Sequence, residues 1–152
     1  FTCYAARGNA RQTVSVDRSE AVISWARENF LLNGLEAKSN VLIQTSVFDY
    51  LKKAGRRGAQ FDLAVVDPPS FSLTRSSRNR FDIVQDHPQM LTDVKALMRK
   101  GAVIYFSTNH QSFLPQMDHL GFADVREITH ETIPEDYVNK RKTIHRCWRI
   151  SV

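Results

Sequence analysis

The sequence has little cysteine and no long apolar run. Cys3 and Cys147 are the only cysteines among its 152 residues, which excludes a disulfide scaffold and a cysteine-rich zinc site. No stretch approaches the roughly 20 consecutive apolar residues of a membrane span, and nothing near Phe1 is typical of a signal peptide. We therefore expect no membrane partner, and the reducing cytoplasm is the default location.

Signatures of several catalytic classes are also missing. The five histidines occur without HxH or HExxH spacing, so no metal site is predicted. Neither a GxxxxGKS phosphate-binding loop nor a GxSxG nucleophile elbow occurs. The sequence therefore gives no support to a metalloenzyme, a P-loop enzyme or a serine hydrolase.

The charge balance is moderately basic. The chain has 21 lysines and arginines against 16 acids, a net charge of +5 and a pI near 9.5. A basic balance favours a polyanionic partner, nucleic acid first, because neutralised phosphates release counterions. A solvated surface with a few extra lysines explains so small an excess equally well.

The hydrophobic pattern alternates between strands and helices. β-Branched or continuous apolar runs predict strands at residues 12–17, 40–45, 61–66, 102–107, 122–128 and 142–152. Helical spacing and capping residues predict helices at residues 1–8, 19–33, 48–54, 86–100 and 112–120. This order predicts an α/β fold with an open, doubly wound, mostly parallel sheet and an antiparallel last strand.

The same pattern predicts which parts of these elements are buried. The strand at residues 61–66 is nearly all apolar, so both of its faces should be covered. Pro88 is expected in the first turn of its helix, where the ring is tolerated. The core-facing side of the second helix is predicted from residues at helical spacing: Val22, Trp25, Ala26 and Phe30.

Polar residues follow three of the predicted strands, at the edge where ligands bind in open α/β sheets. Asp17 ends one strand, residues 45–48 follow the next, and Asp67 follows the third. A carboxylate in the place of Asp17 accepts hydrogen bonds from both hydroxyls of a ribose, which suits NAD and S-adenosylmethionine alike. The alternative is an acid that only stabilises the dipole of the following helix.

Asp67-Pro68-Pro69 is the most specific feature of the sequence. Two successive prolines fix φ and remove two backbone donors, so the loop projects rigidly from its strand. It can present the Asp67 carboxylate and the Pro68 carbonyl at fixed positions, and Phe71 offers an aromatic face for a flipped base. The alternative is an ordinary turn at the end of a strand.

Basic residues and the second cysteine lie near the predicted site. The loop that carries Arg75, Arg78 and Arg80 suits RNA phosphates, and it also suits a merely soluble loop. Cys147 falls in the middle of the last strand, where a cysteine is usually a small core residue rather than a nucleophile.

Five segments resemble, in order and at matching spacing, a family of S-adenosylmethionine-dependent 23S rRNA methyltransferases. They are residues 14–35 (VSVDRSEAVISWARENFLLNGL), 42–51 (LIQTSVFDYL), 61–72 (FDLAVVDPPSFS), 81–87 (FDIVQDH) and 142–150 (KTIHRCWRI). The likeness is greatest to the C-terminal, guanine-N7 methyltransferase half of its bifunctional members. It implies a Rossmann-like class I fold, S-adenosylmethionine as cofactor and 23S rRNA as substrate.

The resemblance implies a role for individual residues. Asp17 corresponds to the ribose-binding acid, with Arg18 beside it, and the adenine end of the cofactor falls at Ser46, Val47 and Phe48. Ser46 departs from the aspartate that is usual in the family, since a serine accepts a hydrogen bond without a charge. The catalytic-face motif matches without departure at Asp67, Pro68, Pro69 and Phe71, with Asp67 also near the cofactor.

The resemblance also implies a missing segment. In the family, a strand and a glycine-containing loop that wraps the methionine part of the cofactor precede the position of Phe1. We therefore expect residues 1–152 to be the C-terminal part of one methyltransferase domain, without its central strand and inactive on their own.

Three alternatives remain open. A cytosine-C5 enzyme needs a cysteine to attack the base, and neither Cys3 nor Cys147 lies in a Pro-Cys loop. The second alternative is a non-catalytic RNA-binding protein that keeps the sheet but whose gene lacks the glycine-containing loop. A nicotinamide-dependent enzyme is disfavoured, because Asp67-Pro68-Pro69 has no evident role in hydride transfer.

Overall fold

The computed structural model describes residues 1–72, 81–110, 112–137 and 144–152. They form two compact units, Phe1–Arg57 and Gly58–Val152. The first unit contains, in chain order, α1 (Thr2–Arg7), β1 (Thr13–Asp17), α2 (Glu20–Leu32), β2 (Asn40–Gln44) and α3 (Val47–Arg56). Each of these was predicted, with ends that differ by a few residues.

The first unit is built on two parallel strands. β1 and β2 pair from Thr13↔Asn40 to Asp17↔Gln44, so their carboxyl ends coincide. Ser19 caps α2 as predicted, because its Oγ accepts the backbone N–H of Val22 at 3.3 Å. The strand ends and the start of α2 therefore lie at one edge of this sheet.

The second unit contains the remaining regular elements. They are β3 (Phe61–Val66), β4 (Phe71–Ser72), β5 (Phe81–Asp82), α4 (Ile83–Lys95), β6 (Met98–Thr108), β7 (Asp124–Glu127), α5 (Thr129–Thr132) and β8 (Arg146–Ser151). Short 3-10 turns occur at Asp118–Leu120 and Glu135–Tyr137.

The larger sheet of this unit has the strand order β3-β6-β8-β7. β3 and β6 are parallel, whereas β8 runs antiparallel to both β6 and β7. The predicted antiparallel insertion of the last strand is therefore confirmed. β4 and β5 form a separate two-stranded antiparallel ribbon.

Aromatic side chains make up the centre of the second unit. The rings of Phe106 and Trp148 stack with centroids 5.6 Å apart, and Phe113 meets both edge-on at 5.7 and 5.4 Å. His87 joins them, with its ring 4.6 Å from that of Phe113. The cluster ties α4 to both strands at the middle of the sheet.

His87 is fully buried and both of its ring nitrogens are used. Nδ1 lies 2.7 Å from the Ile83 carbonyl oxygen, and Nε2 accepts the backbone N–H of Gln116 at 3.0 Å. This pattern fits a neutral ring with its proton on Nδ1. Burial lowers the pKa of His87, because the core disfavours the charged ring.

The predicted helix at residues 86–100 is displaced in the structure. α4 begins at Ile83, because Asp82 acts as its N-cap and accepts the Val84 N–H at 2.9 Å. Pro88 is thus the sixth helical residue, and the expectation of a first-turn proline was wrong. β6 begins at Met98, and Gly101 lies at φ +81° where the β3–β6 register shifts, rather than ending the helix.

Two predictions of burial were also wrong. On α2, Ile23 and Phe30 are buried, whereas Val22 and Trp25 are 44% and 67% exposed. The helical period predicts that α2 has an apolar stripe, but its contact with the sheet selects which part of the stripe is covered.

The predicted helix at residues 112–120 is reduced to the 3-10 turn at its end, since Pro115 lies within it.

β3 is not covered on both faces, contrary to prediction. Leu63 and Val65 are 50% and 42% exposed. β3 is an edge strand of its sheet, so one of its edges has no strand partner among the described residues. An apolar run therefore indicated a strand correctly but did not indicate the position of that strand in the sheet.

Candidate active site

Asp17 lies at the carboxyl end of β1, as predicted, and is half-buried. Its Oδ1 accepts the backbone N–H of Ser19 at 2.7 Å. Oδ2 has no hydrogen-bonding partner among the residues that the structure describes. One oxygen therefore fixes the orientation of the carboxylate, and the other is available to a ligand.

Ser46 is the N-cap of α3, directly after β2. Its side chain makes no capping hydrogen bond, so its hydroxyl is also available to a ligand. The Thr45 N–H donates to the Asp17 carbonyl oxygen at 2.9 Å, which holds this turn beside the end of β1. Val47 and Phe48 begin α3 and are half-buried, and Arg18 is exposed.

Asp67 follows β3 and is exposed, and Pro68 and Pro69 come next. The Asp67 Oδ1 accepts the Ser107 hydroxyl at 2.7 Å. Ser107 belongs to β6, whose residue Phe106 pairs with Val66 of β3. The carboxyl ends of these parallel strands thus place Asp67 and Ser107 side by side.

Ser70 ends the loop and is held by two contacts. Its hydroxyl donates to Oδ1 of Asn109 at 2.5 Å, and its carbonyl oxygen accepts the Ile83 N–H at 3.0 Å. The chain then forms the β4–β5 ribbon, in which Phe71 pairs with Asp82. The loop between β3 and β4 is therefore attached both to the end of β6 and to the start of α4.

Ser107 and Asn109 were missed by the sequence analysis. The available signal was the polar run Ser107-Thr108-Asn109 at the end of a buried apolar strand, which is similar to the pattern that singled out Asp17 and Asp67. The structure describes the backbone of Phe71, but Arg75, Arg78 and Arg80 lie outside the described residues. The predicted roles of these four side chains stay predictions.

Cys147 is buried on β8, opposite Ser107 of β6. Burial raises the pKa of its thiol, and the negative charge of Asp67 raises it further. A buried neutral thiol is a poor nucleophile. The interpretation of Cys147 as a packing residue agrees with this environment.

Arg146 has a structural role next to this cysteine. Its guanidinium binds Glu127 at 2.7 and 3.0 Å, donates to the Phe113 carbonyl oxygen at 2.7 Å and lies 4.7 Å from the Trp148 ring centroid. The Arg146 guanidinium lowers the pKa of Glu127 by this charged hydrogen bonding. The pair joins the end of β7 to β8.

The described residues contain neither a candidate metal cluster nor a candidate membrane span. No group of three or more His, Cys, Asp or Glu side chains within them is placed to hold a metal ion. Among the same residues, no helix combines the length and the apolar character that crossing a membrane requires.

Comparison with known proteins identifies the family. The sequence model of a family of S-adenosylmethionine-dependent methyltransferases matches residues 1–139. The chain belongs to this methyltransferase family. It is also 39% identical, over 152 residues, to the ribosomal RNA large subunit methyltransferase K of Neisseria meningitidis serogroup B, an alignment that covers 99% of this chain and 42% of that protein.

Solved structures show the same methyltransferase fold. The chain is similar to a protein assigned as a methyltransferase and crystallised with SAH, with a TM-score of 0.82 and 22% identity over 99% of this chain and 41% of the other. The Thermus thermophilus 16S rRNA N2 G1207 methyltransferase, solved with AdoMet and guanosine, gives a TM-score of 0.56 and 17% identity over 92% of this chain and 31% of the other. The chain therefore spans about two fifths or less of the length of these relatives.

The first-unit residues fit the cofactor of the family. S-adenosylmethionine carries a ribose with two vicinal hydroxyls and an adenine with an exocyclic amine, all of them hydrogen-bond donors. Asp17 Oδ2 and the Ser46 hydroxyl are acceptors at the shared carboxyl edge of β1 and β2. The donor and acceptor chemistry of the two partners is thus complementary.

Proposed function

We propose that the protein transfers the methyl group of S-adenosylmethionine to a base of 23S rRNA, with guanine N7 as the acceptor. The observation that carries the proposal is the Asp67–Ser70 loop of a methyltransferase-family chain, attached by side-chain hydrogen bonds to the end of β6. The name of the 39% identical relative, which refers to large-subunit ribosomal RNA, supports the choice of RNA.

In this proposal the cofactor supplies an activated methyl group on a sulfonium centre. Asp17 binds the ribose, and Ser46, with Val47 and Phe48 at the start of α3, binds the adenine end. Arg18 follows Asp17 and contributes a positive charge at the same edge. Ser46 bonds the adenine amine without the charge that an aspartate supplies, so we assign most of the polar affinity to Asp17.

Asp67, Pro68, Pro69 and Phe71 orient the acceptor base. The Asp67 carboxylate and the Pro68 carbonyl are acceptors for its polar edge, and the Phe71 ring stacks on its face. Guanine N7 has an exposed lone pair and needs no general base. The protein then accelerates the reaction by alignment and by excluding water.

The state of Cys147 favours N7 over cytosine C5 as the acceptor. A C5 reaction starts with attack of a thiolate on the base. The Cys147 thiol is buried, and both burial and the Asp67 charge raise its pKa. Cys3 lies on α1, within the first unit and outside any Pro-Cys loop.

We further propose that residues 1–152 are the C-terminal part of one methyltransferase domain and that the protein acts in the cytoplasm. The edge of β3 that has no strand partner among the described residues supports an additional strand beside it, and the exposed side chains Leu63 and Val65 support a further element that covers this face. We expect the chain alone to unfold with low cooperativity and to bind S-adenosylmethionine weakly. A sharp melting transition with micromolar cofactor binding by the chain alone would contradict this division of the domain.

The function is tested with the full-length gene product and undermodified 23S rRNA. We expect transfer of labelled methyl and the appearance of 7-methylguanosine in the digested RNA by mass spectrometry. Asp67→Ala should lower the rate, and Phe71→Ala should cost about 1–3 kcal/mol of base stacking, whereas Phe71→Tyr keeps the ring and the rate.

Other products of this assay would favour the alternatives. A covalent adduct with RNA that contains 5-fluorocytosine would indicate a cytosine-C5 enzyme. Binding of 23S rRNA without cofactor binding or methyl transfer would indicate a non-catalytic RNA-binding protein. Arg75, Arg78 and Arg80 are proposed to bind RNA phosphates, so their joint replacement by Gln should weaken RNA binding and reduce its salt dependence.

A further inference from the structure

The two prolines of the Asp67–Ser70 loop cannot fix its position through backbone hydrogen-bond donors. Pro68 and Pro69 have no backbone N–H to donate. Asp67 is exposed, and its carboxylate bonds no other described residue than Ser107. The position of the loop therefore depends on contacts with distant parts of the chain.

Ser107 is held rigidly enough to provide such a contact. It lies in β6, which is paired with β3 on one side and with β8 on the other, where Ser107 faces Cys147. Its neighbours Phe106 and Thr108 are buried on the opposite face of the strand. The backbone ladders on both sides fix the Ser107 hydroxyl 2.7 Å from Asp67.

Asn109 provides a second contact at the other end of the loop. It comes directly after β6, where the chain turns and the His110 N–H donates to the Thr108 hydroxyl at 3.1 Å. Asn109 Oδ1 accepts the Ser70 hydroxyl at 2.5 Å. Both ends of the Asp67–Ser70 loop are thus bonded to one short segment, Ser107 to Asn109.

We propose that Ser107 and Asn109 are positioning residues for methyl transfer: Ser107 orients the Asp67 carboxylate, and Asn109 holds Ser70, so that the loop is preorganised before the base arrives. This inference rests on the proposed role of the Asp67–Ser70 loop. Neither residue needs to touch the substrate, and each acts through a single hydrogen bond to the loop.

The first test compares turnover of the full-length protein variants on undermodified 23S rRNA. Ser107→Ala should lower kcat about 10-fold, the scale expected when a reacting group loses alignment, with little change in KM for S-adenosylmethionine. Ser107→Thr keeps the hydroxyl and should restore kcat. Ser151→Ala, a serine change on β8 at the other end of the same sheet, is the matched control and should leave kcat unchanged.

A double variant separates positioning from general stability. If Ser107 acts through Asp67, the variant with both Asp67→Ala and Ser107→Ala should be no slower than Asp67→Ala alone. Unchanged kcat in Ser107→Ala, or full additivity in the double variant, would overturn the inference. Absence of transfer by the unmodified protein would instead contradict the proposed function.

An activity-independent measurement decides the inference in either case. Asn109→Leu removes the acceptor for Ser70, whereas Asn109→Asp keeps it. Hydrogen exchange at the Ile83 amide, which donates to the Ser70 carbonyl oxygen, should become about 10-fold faster in Asn109→Leu but not in Asn109→Asp. Equal exchange in both variants and the unmodified protein would overturn the role of Asn109.

Discussion

The two units differ sharply in how they bury apolar surface. The described residues of the first unit bury only a few apolar side chains: Ile23, Phe30, Leu51 and Ala54. They also leave large apolar side chains exposed: Phe1, Tyr4, Val22, Trp25, Leu31 and Leu32. The second unit instead has an interlocked aromatic cluster around Phe106. A unit of about 60 residues is near the lower limit for a self-sufficient core, and the first unit shows this limit.

The difference separates two kinds of ligand contact. The proposed cofactor residues Asp17 and Ser46 lie at or directly after strand ends, in the unit that buries few side chains. Each has one oxygen that is available to a ligand, and this suits both residues to binding. The Asp67–Ser70 loop lies on the well-packed unit and is bonded on both sides. Accurate alignment needs a rigid support, and the second unit supplies it.

The largest expected effect tests the contrast between the two cores. Phe106→Ala removes a fully buried ring that contacts three other aromatic rings, and should cost about 3–5 kcal/mol of unfolding free energy. Phe30→Ala in the first unit should cost less, since its looser surroundings can collapse into the space. Urea unfolding of the full-length protein measures the loss of unfolding free energy in both variants, and equal losses would contradict the difference between the two units.

The second prediction concerns binding on the first unit. Asp17→Ala should weaken S-adenosylmethionine by about 2 kcal/mol, the scale for loss of a charged hydrogen-bond acceptor. Asp17→Asn keeps the acceptor for the Ser19 N–H and should have an intermediate affinity. Glu20→Ala, an exposed acid in the first turn of α2, is the control. Calorimetry with unchanged affinity in Asp17→Ala would remove this residue from the site.

The third prediction concerns a residue beneath the Asp67 loop. Cys147→Ser in the full-length protein should retain turnover, because in the proposed reaction guanine N7 is itself the nucleophile, and should lose about 1 kcal/mol of stability by placing a hydroxyl in the core. Methyl transfer and thermal unfolding are measured side by side, with Cys3→Ser as control. Loss of activity in a folded Cys147→Ser protein would favour the cytosine-C5 reaction.

The smallest expected effect depends on pH. Because Arg146 lowers the folded-state pKa of Glu127, their pairing stabilises the protein above the unfolded-state pKa, near the ordinary glutamate value of 4.5. This contribution is lost as the pH falls through the lowered folded-state pKa. The pair is partly exposed, so Glu127→Gln should cost only about 0.5 kcal/mol at pH 7. The cost should disappear in urea titrations at strongly acidic pH, and a cost that does not change with pH would exclude an ionic origin.

Strand ends were the most predictable part of the site. Asp17 ends β1 and Asp67 follows β3, two strands that their composition indicates clearly, and within each unit the parallel strands bring their own carboxyl ends to one edge of that unit's sheet. Ser107 was less visible, because its role depends on the register Val66↔Phe106, which joins residues 40 positions apart. Local patterns contain no information on such a register.

One helix start was predicted from its cap and another was missed. Ser19 before Glu20 predicted the start of α2 correctly. Asp82 was overlooked as the N-cap of α4, although Asp is a favoured N-cap residue and Gln85 follows it three residues later. The position of Pro88 in the second turn of α4 follows from that cap.

The sequence by itself determined the α/β order of elements, the antiparallel last strand and the acidic residues at the strand ends, because these depend on short-range periodicity, on composition and on the order of elements along the chain. Only the tertiary structure decided which stripe of α2 is buried, that β3 is an edge strand with Leu63 and Val65 exposed, and that Ser107 and Asn109 hold the Asp67–Ser70 loop. These features depend on contacts between residues far apart in the chain, and such contacts are set by sheet order and register.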